Sequence, residues 1–186
     1  GHHGIYGKGN GTFPLNMFDS ALRVPALASR PGHLPHGIRN ADLLSHYDVM
    51  PTLLEYLNLP IPDPDARPGR SFAEVFHGRH LSNRNHIVVM DEYGPVRMIR
   101  TPHWKYVHRY PYGPNELYDL KNDSFEQVNL VGLSECQERV AAMRHELQDW
   151  FLRYVDPAMD GTKEAVTGLG QLCLAGPRAR GGRSFV

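Results

Sequence analysis

The chain is poor in cysteine: it has two among 186 residues, Cys136 and Cys173, far apart and in no metal-type spacing. Read as reduced thiols, they exclude a disulfide scaffold and a paired-cysteine zinc site. An excess of one charge is also absent, with 20 Lys plus Arg against 20 Asp plus Glu. That balance argues against a broad nucleic-acid surface and a polybasic membrane patch, so neither nucleic acid nor membrane is an expected partner. No apolar run approaches the roughly 20 residues of a membrane helix. No charged-then-apolar leader follows Gly1, and the sequence assigns no compartment. Complete catalytic signatures are missing too. There is no full nucleophile triad, no carboxylate pair and no H-E-x-x-H.

What is present begins with 41% hydrophobic residues, enough for a core, and with 18 Gly and 15 Pro, which imply many loops. Residues 1–20 are Gly-rich without helical period and read as an extended surface loop. The run from Leu22 to Ala28, with Pro25 inside it, reads as a buried strand. Asp48 opens a helix as its cap, Pro51 is tolerated in the first turn, and Val49, Leu53, Leu54 and Leu57 form an apolar face. Four prolines in residues 60–68 make a stiff connector, and a short helix follows near Phe72 to His77. Ile87–Met90, Val96–Ile99, Trp104–His108 and Glu116–Leu120 have strand composition, with Gly94-Pro95 and Thr101-Pro102 at turn positions. They predict an antiparallel meander.

A last helix is predicted from a Ser134-x-x-Gln137 capping box. Its stripe of Val140, Met143, Leu147, Trp150, Phe151 and Tyr154 would pack on that sheet. Asp156-Pro157 ends it, and residues 158–186 read as an extended tail. The fold class is therefore α/β followed by a small antiparallel sheet packed by a C-terminal helix.

The chemistry-bearing stretch is Gly1 to Gly11, G-H-H-G-I-Y-G-K-G-N-G. Lys8 stands between two glycines, where the backbone can approach a ligand closely. A compact cation with three donors suits an oxyanion. The stretch is neither a phosphate-binding P-loop, since Gly9 follows Lys8, nor a dinucleotide fingerprint, since Thr12 stands where glycine is needed. His33 and His36, and His2 and His3, lack the Cys or carboxylate company of a structural metal site. No metal ligand is assigned within this chain, and nothing beside Cys136 activates its thiol.

Taken in order, these segments resemble the type I sulfatase family. Gly1 to Gly9 is similar to G-[DE]-H-G-[LI]-[WY]-G-K, the stretch that follows the family's metal-binding motif. Asp19 to Pro25 resembles E-x-x-x-R-V-P, and Asp48 to Leu54 resembles D-[LIV]-x-P-T-[LI]-L. Pro68 to Ser71 resembles x-G-R-S, and Arg100 to Tyr106 resembles R-T-x-x-[WY]-K-[YL]. Glu116 to Leu130 resembles E-L-Y-D-L-x-x-D-P-x-E-x-x-N-L, with Ser124 in place of the usual proline.

The resemblance implies the alkaline-phosphatase-like α/β fold and a hydrolase of sulfate esters, of which this chain is the C-terminal part. Residues 1–80 would be a remnant of the catalytic domain, 81–157 a C-terminal subdomain and 158–186 a tail. The family's nucleophile is formylglycine, made from C/S-x-P-S-R, and its metal is calcium. The chain contains no such motif, so nucleophile and calcium ligands are expected upstream of Gly1, and this portion alone is expected to be inactive. Lys8 matches the lysine that contacts sulfate and leaving-group oxygens, and His3 matches a nearby histidine. His2 departs from the usual acidic residue. Arg23 matches the R-V-P arginine and is read as a structural partner of Asp19. His103, Trp104 and His108, with Tyr112, are candidates for substrate binding at the subdomain edge.

The expected partners are a small-molecule or sugar sulfate ester and the remaining N-terminal half of the same protein. A phosphonate or phosphodiester hydrolase of the same superfamily is the rival reading, and a non-catalytic truncated module is another.

Overall fold

The computed structural model describes residues 17–81, 84–90, 96–110, 112–157 and 160. Their packing forms two compact units, one running up to Val24 and resuming at Val88, the other covering Pro25–Ile87.

In the first unit four strands, β1 (Ile87–Met90), β2 (Val96–Arg100), β3 (Trp104–Arg109) and β4 (Glu116–Asp119), lie side by side in chain order. β2 pairs antiparallel with β3 and β3 with β4, so Ile99, Tyr106 and Leu117 sit in one row across the sheet. The predicted meander is present, because β-branched and aromatic residues alternate at the period of two that a two-faced sheet needs.

Helix α3 (Gln137–Tyr154) covers one face. Its Met143, Leu147 and Phe151 are buried against Val88, Ile99, Tyr106 and Leu117, with Val140 and Trp150 at the margin. The predicted stripe is the stripe that packs. The capping box does not form, however. The chain enters through a 3-10 turn, Ser134–Cys136, and the Gln137 side chain donates to the carbonyls of Val131 and Leu133 instead.

The other face carries Val96, Met98 and Val107 and is covered by Met17, with Leu22 beside it. Here the structure corrects, for residues 17–20, the sequence reading of residues 1–20 as a surface loop, whose first 16 residues lie outside the described ones. Met17 is buried, and Asp19–Leu22 forms a single helical turn, α1. A sheet with apolar side chains on both faces needs two covers, and α3 supplies only one.

In the second unit, Val49–Tyr56 forms helix α2 as predicted. It ends with Asn58 in the left-handed region at φ 53, and the Leu59 N–H donates back to the Leu54 carbonyl, a Schellman-type stop. A 3-10 turn at Ala73–His77 stands where a short helix was expected. The buried strand expected from Leu22 to Ala28 is not formed. Residues 23–28 carry no regular secondary structure and are exposed, Leu27 at 98%, and no neighbouring strand among the described residues pairs with them. The apolar face of α2 is likewise outward. Pro51 and Thr52 are its buried residues, while Leu53 and Leu57 are exposed at 51% and 58%.

Candidate functional site

Among the described residues three buried polar clusters stand out beside the buried Arg109–Glu116 pair. The first is centred on Lys105, whose side chain is fully buried (0% exposed) on the β3 face that Met17 covers. A lysine is hidden from water only when its charge is matched and its donors are used. Its Nζ donates to the Met17 carbonyl at 3.0 Å and to Asp19 Oδ1 at 2.5 Å. Glu126 Oε1 lies 2.5 Å away. The Arg100 guanidinium reaches the same Asp19 carboxylate at 3.1–3.3 Å. The Asp19 backbone N–H closes the set by donating to Glu126 Oε2 at 2.6 Å.

Two cations thus face two carboxylates. Burial pushes the Asp19 carboxyl up, but Lys105 and then Arg100 outweigh it and hold it below the ordinary value. For Glu126 burial wins over Lys105, and its pKa is raised. The expected pairing of Arg23 with Asp19 is corrected here. Arg23 is exposed, and Asp19 turns to the sheet, where two cations stand side by side.

The second cluster is built on Asp48, also 0% exposed. It does not cap α2 through its side chain. Instead Arg84 grips both carboxylate oxygens at 2.6 Å each, while the backbone N–H groups of Arg70 and Ser45 donate at 2.9 and 2.7 Å. This forked pairing is the strong form of a charge-assisted contact. Thr52 Oγ1 donates to the Asp48 carbonyl and accepts the Phe72 N–H. Gly69 has to be glycine, because a Cβ there would stand 2.0 Å from the Tyr47 carbonyl oxygen. The D-x-x-P-T and G-R-S segments are therefore one interlocked structure.

The third cluster lies under α3. Tyr106 OH and His108 Nδ1 are 2.8 Å apart, and the His108 ring meets Tyr110 edge-on. The Arg97 guanidinium stacks on Phe151 and Tyr110 and pairs with Asp160. Burial first, then Arg144 and Arg97, push His108 down to about 4, so it is neutral at pH 7. Burial lifts Tyr106 to about 12.

In the first two clusters every charge is matched by an opposite charge within the cluster, which suits scaffolding rather than bond making. Among the described residues no group of three or more His, Cys, Asp or Glu could hold a metal ion.

Of the residues singled out in the sequence, Lys8 and His3 lie outside the described residues, as do His2, Cys173, Gly94-Pro95 and nearly all of residues 158–186. His103 is exposed on the turn between β2 and β3, where its carbonyl accepts the Leu120 N–H. Trp104 is half-buried against the α3-side core, with the Arg139 guanidinium 4.1 Å above its ring. His108 is buried at 6% exposure. Trp104 and His108 share a sheet face but are separated by Tyr106, about 13 Å along the strand, so these three do not converge. Tyr112 is exposed.

What sequence reading missed is Lys105 and its partners. A signal was there, since a lysine between Trp104 and Tyr106 in an apolar strand must face the opposite side from both.

A family model described as N-sulphoglucosamine sulphohydrolase, C-terminal, matches residues 1–152. The chain is 27% identical to an ulvan-active sulfatase of Formosa agariphila, over 80% of this chain and 35% of that protein. It is 29% identical to a Delta 4,5-hexuronate-2-O-sulfatase of Bacteroides thetaiotaomicron, over 76% of this chain and 31% of the relative. The solved structure of a 2-O GAG sulfatase matches with a TM-score of 0.52 and 27% identity, covering 73% of this chain and 30% of that one. The chain thus spans about a third of the length of these relatives. With mixed α/β architecture, ordered motifs and a family match over most of its length, the chain belongs to the sulfatase family, as a C-terminal portion of the N-sulphoglucosamine sulphohydrolase type.

Proposed function

We propose that the full-length protein containing this chain hydrolyses sulfate esters, with a sulfated sugar as the substrate class. The observation that carries this reading is the family match over residues 1–152, which takes in the Gly1–Gly11 stretch with Lys8. Relatives described as acting on ulvan, on a hexuronate 2-O-sulfate and on a glucosamine disulfate support the sugar assignment.

Sulfatases use a formylglycine nucleophile and a metal ion, for which calcium is our assignment. Neither fits the residues at hand. The sequence has no C/S-x-P-S-R, and the described residues offer no ligand cluster. Both are therefore assigned to another part of the full-length protein.

The role left to this chain is electrostatic. Lys8 would donate to a sulfate oxygen and to the leaving oxygen, offsetting negative charge as the S–O bond breaks, with His3 in support. His103, the exposed member of the trio, is the strongest of the three for substrate contact, with half-buried Trp104 next to it in the chain, while buried His108 is left a packing role beside Tyr106 and Tyr110. The division at residues 80 and 157 stands as our proposal for the whole protein's domains. The outward face of α2, with Val49, Leu53 and Leu57, would pack on the remaining part of the α/β domain.

The test is sulfate release by the full-length protein from sugar and aryl sulfates, beside matched phosphonate monoesters and phosphodiesters. The expected result is turnover of a sulfate ester, a fall in kcat of about 10²–10³ on Lys8→Ala, and no turnover by this chain alone. Turnover of only the phosphorus esters would overturn the reading.

A further inference from the structure

We infer that Lys105 is a positioning residue. With Asp19 and Glu126 it fixes where residues 17–19 pack on the sheet, and so anchors the chain downstream of the stretch that carries Lys8. This rests on the role proposed above for Lys8.

Two independent observations point the same way. First, Lys105 is fully buried, and two of its three contacts, the Met17 carbonyl and the Asp19 carboxylate, belong to the segment that continues directly from the Lys8 stretch. Hiding the Lys105 and Glu126 charges from water is an inefficient way to gain stability, and a well-packed apolar pair would serve as well or better. What buried charge supplies instead is direction, since Nζ has a small set of geometries in which it donates to both Met17 and Asp19 while staying in ion-pair contact with Glu126. Second, Glu126 takes up its place with its own backbone in the left-handed region, at φ 57, a conformation with a cost for a residue bearing a Cβ. Its carboxylate receives the Asp19 N–H through one oxygen and faces Lys105 with the other.

Met17 is buried in the sheet core at the same point, so the anchor has an apolar peg and a directed polar clamp. A cation that must meet a sulfate oxygen tolerates little misplacement, since about 1 Å can cost 10²-fold in rate.

The test is a double-mutant cycle in the full-length protein, with Lys105→Met, Lys8→Ala and the two combined. The readouts are kcat and KM on a sulfate ester the wild type turns over, and hydrogen exchange of residues 17–22. The expected result is a loss in kcat of about 10-fold or more for Lys105→Met in the wild-type background, with a much smaller change in KM. In the Lys8→Ala background the further loss falls below about 3-fold, because coupled residues are non-additive. Exchange over residues 17–22 speeds up while β2–β4 keep their protection.

Equal fold-losses in both backgrounds would overturn the inference, as would unchanged exchange over residues 17–22. If Lys105→Met does not fold, Asp19→Asn keeps the Glu126 contact and gives the same cycle. A wild type that hydrolyses no sulfate ester would overturn the proposed function instead. Exchange then judges the anchor, which stands if Lys105→Met speeds it and falls if it does not.

Discussion

Asp48 is the residue where local and tertiary chemistry part company. Its place at the start of α2 is legible from Asp48-Val49-Met50-Pro51, since a proline three residues on is at home in a first turn. Its partner is not legible. Arg84 stands 36 residues away, and spacing along a chain carries no signal for such a contact. The consequence is testable. Arg84→Met would leave a carboxylate at 0% exposure facing two backbone N–H groups without its counter-charge. We expect a loss of about 3–5 kcal/mol of stability, read as a lower urea midpoint. Glu74→Ala, which breaks the surface pair with Arg79, should shift the midpoint hardly at all. Equal shifts would show that burial does not set the value of the pair.

At the scale of elements, periodicity was a good guide, while end chemistry placed the start of α2 but misled at the start of α3. The α3 stripe was readable because buried side chains must repeat every three to four residues to face one sheet. The meander was readable because its strands and turns are local. Ser134-x-x-Gln137 misled, since the chain arrives from the 3-10 turn and Gln137 finds carbonyls closer at hand.

The α3–sheet interface also carries a titrating group. His108 is buried beneath it with a pKa near 4, against 6.5 for the free side chain. Between those values the unfolded chain binds the proton and the folded chain does not, so stability rises with pH across this window. It is fully present above about pH 6.5 and is lost as pH falls toward 4, with a contribution of about 3 kcal/mol. His108→Gln should flatten that limb of a plot of melting temperature against pH. An unchanged slope would assign the acid sensitivity to other groups.

For the whole molecule, the telling surface is the one left uncovered. Val49, Met50, Leu53, Leu57 and Leu59 lie exposed on and just after α2, more apolar surface in one place than scattered residues account for. We expect the isolated chain to self-associate at micromolar concentration in sedimentation velocity. Leu53→Glu with Leu57→Glu should shift it toward the monomer. A clean monomer for the unmodified chain, with a cooperative melt, would contradict this and the packing role given to that face. The sequence by itself determined the four strands of the meander, the α3 stripe, the start of α2 and the family, because each is written in local composition, in period or in the order of short motifs. Only the tertiary structure decided which face of α2 is buried, that residues 17–22 cover the sheet, and that Lys105, Asp19 and Glu126 meet. Those outcomes depend on partners up to 107 residues apart, and contacts at such separation are fixed by packing and charge matching in three dimensions.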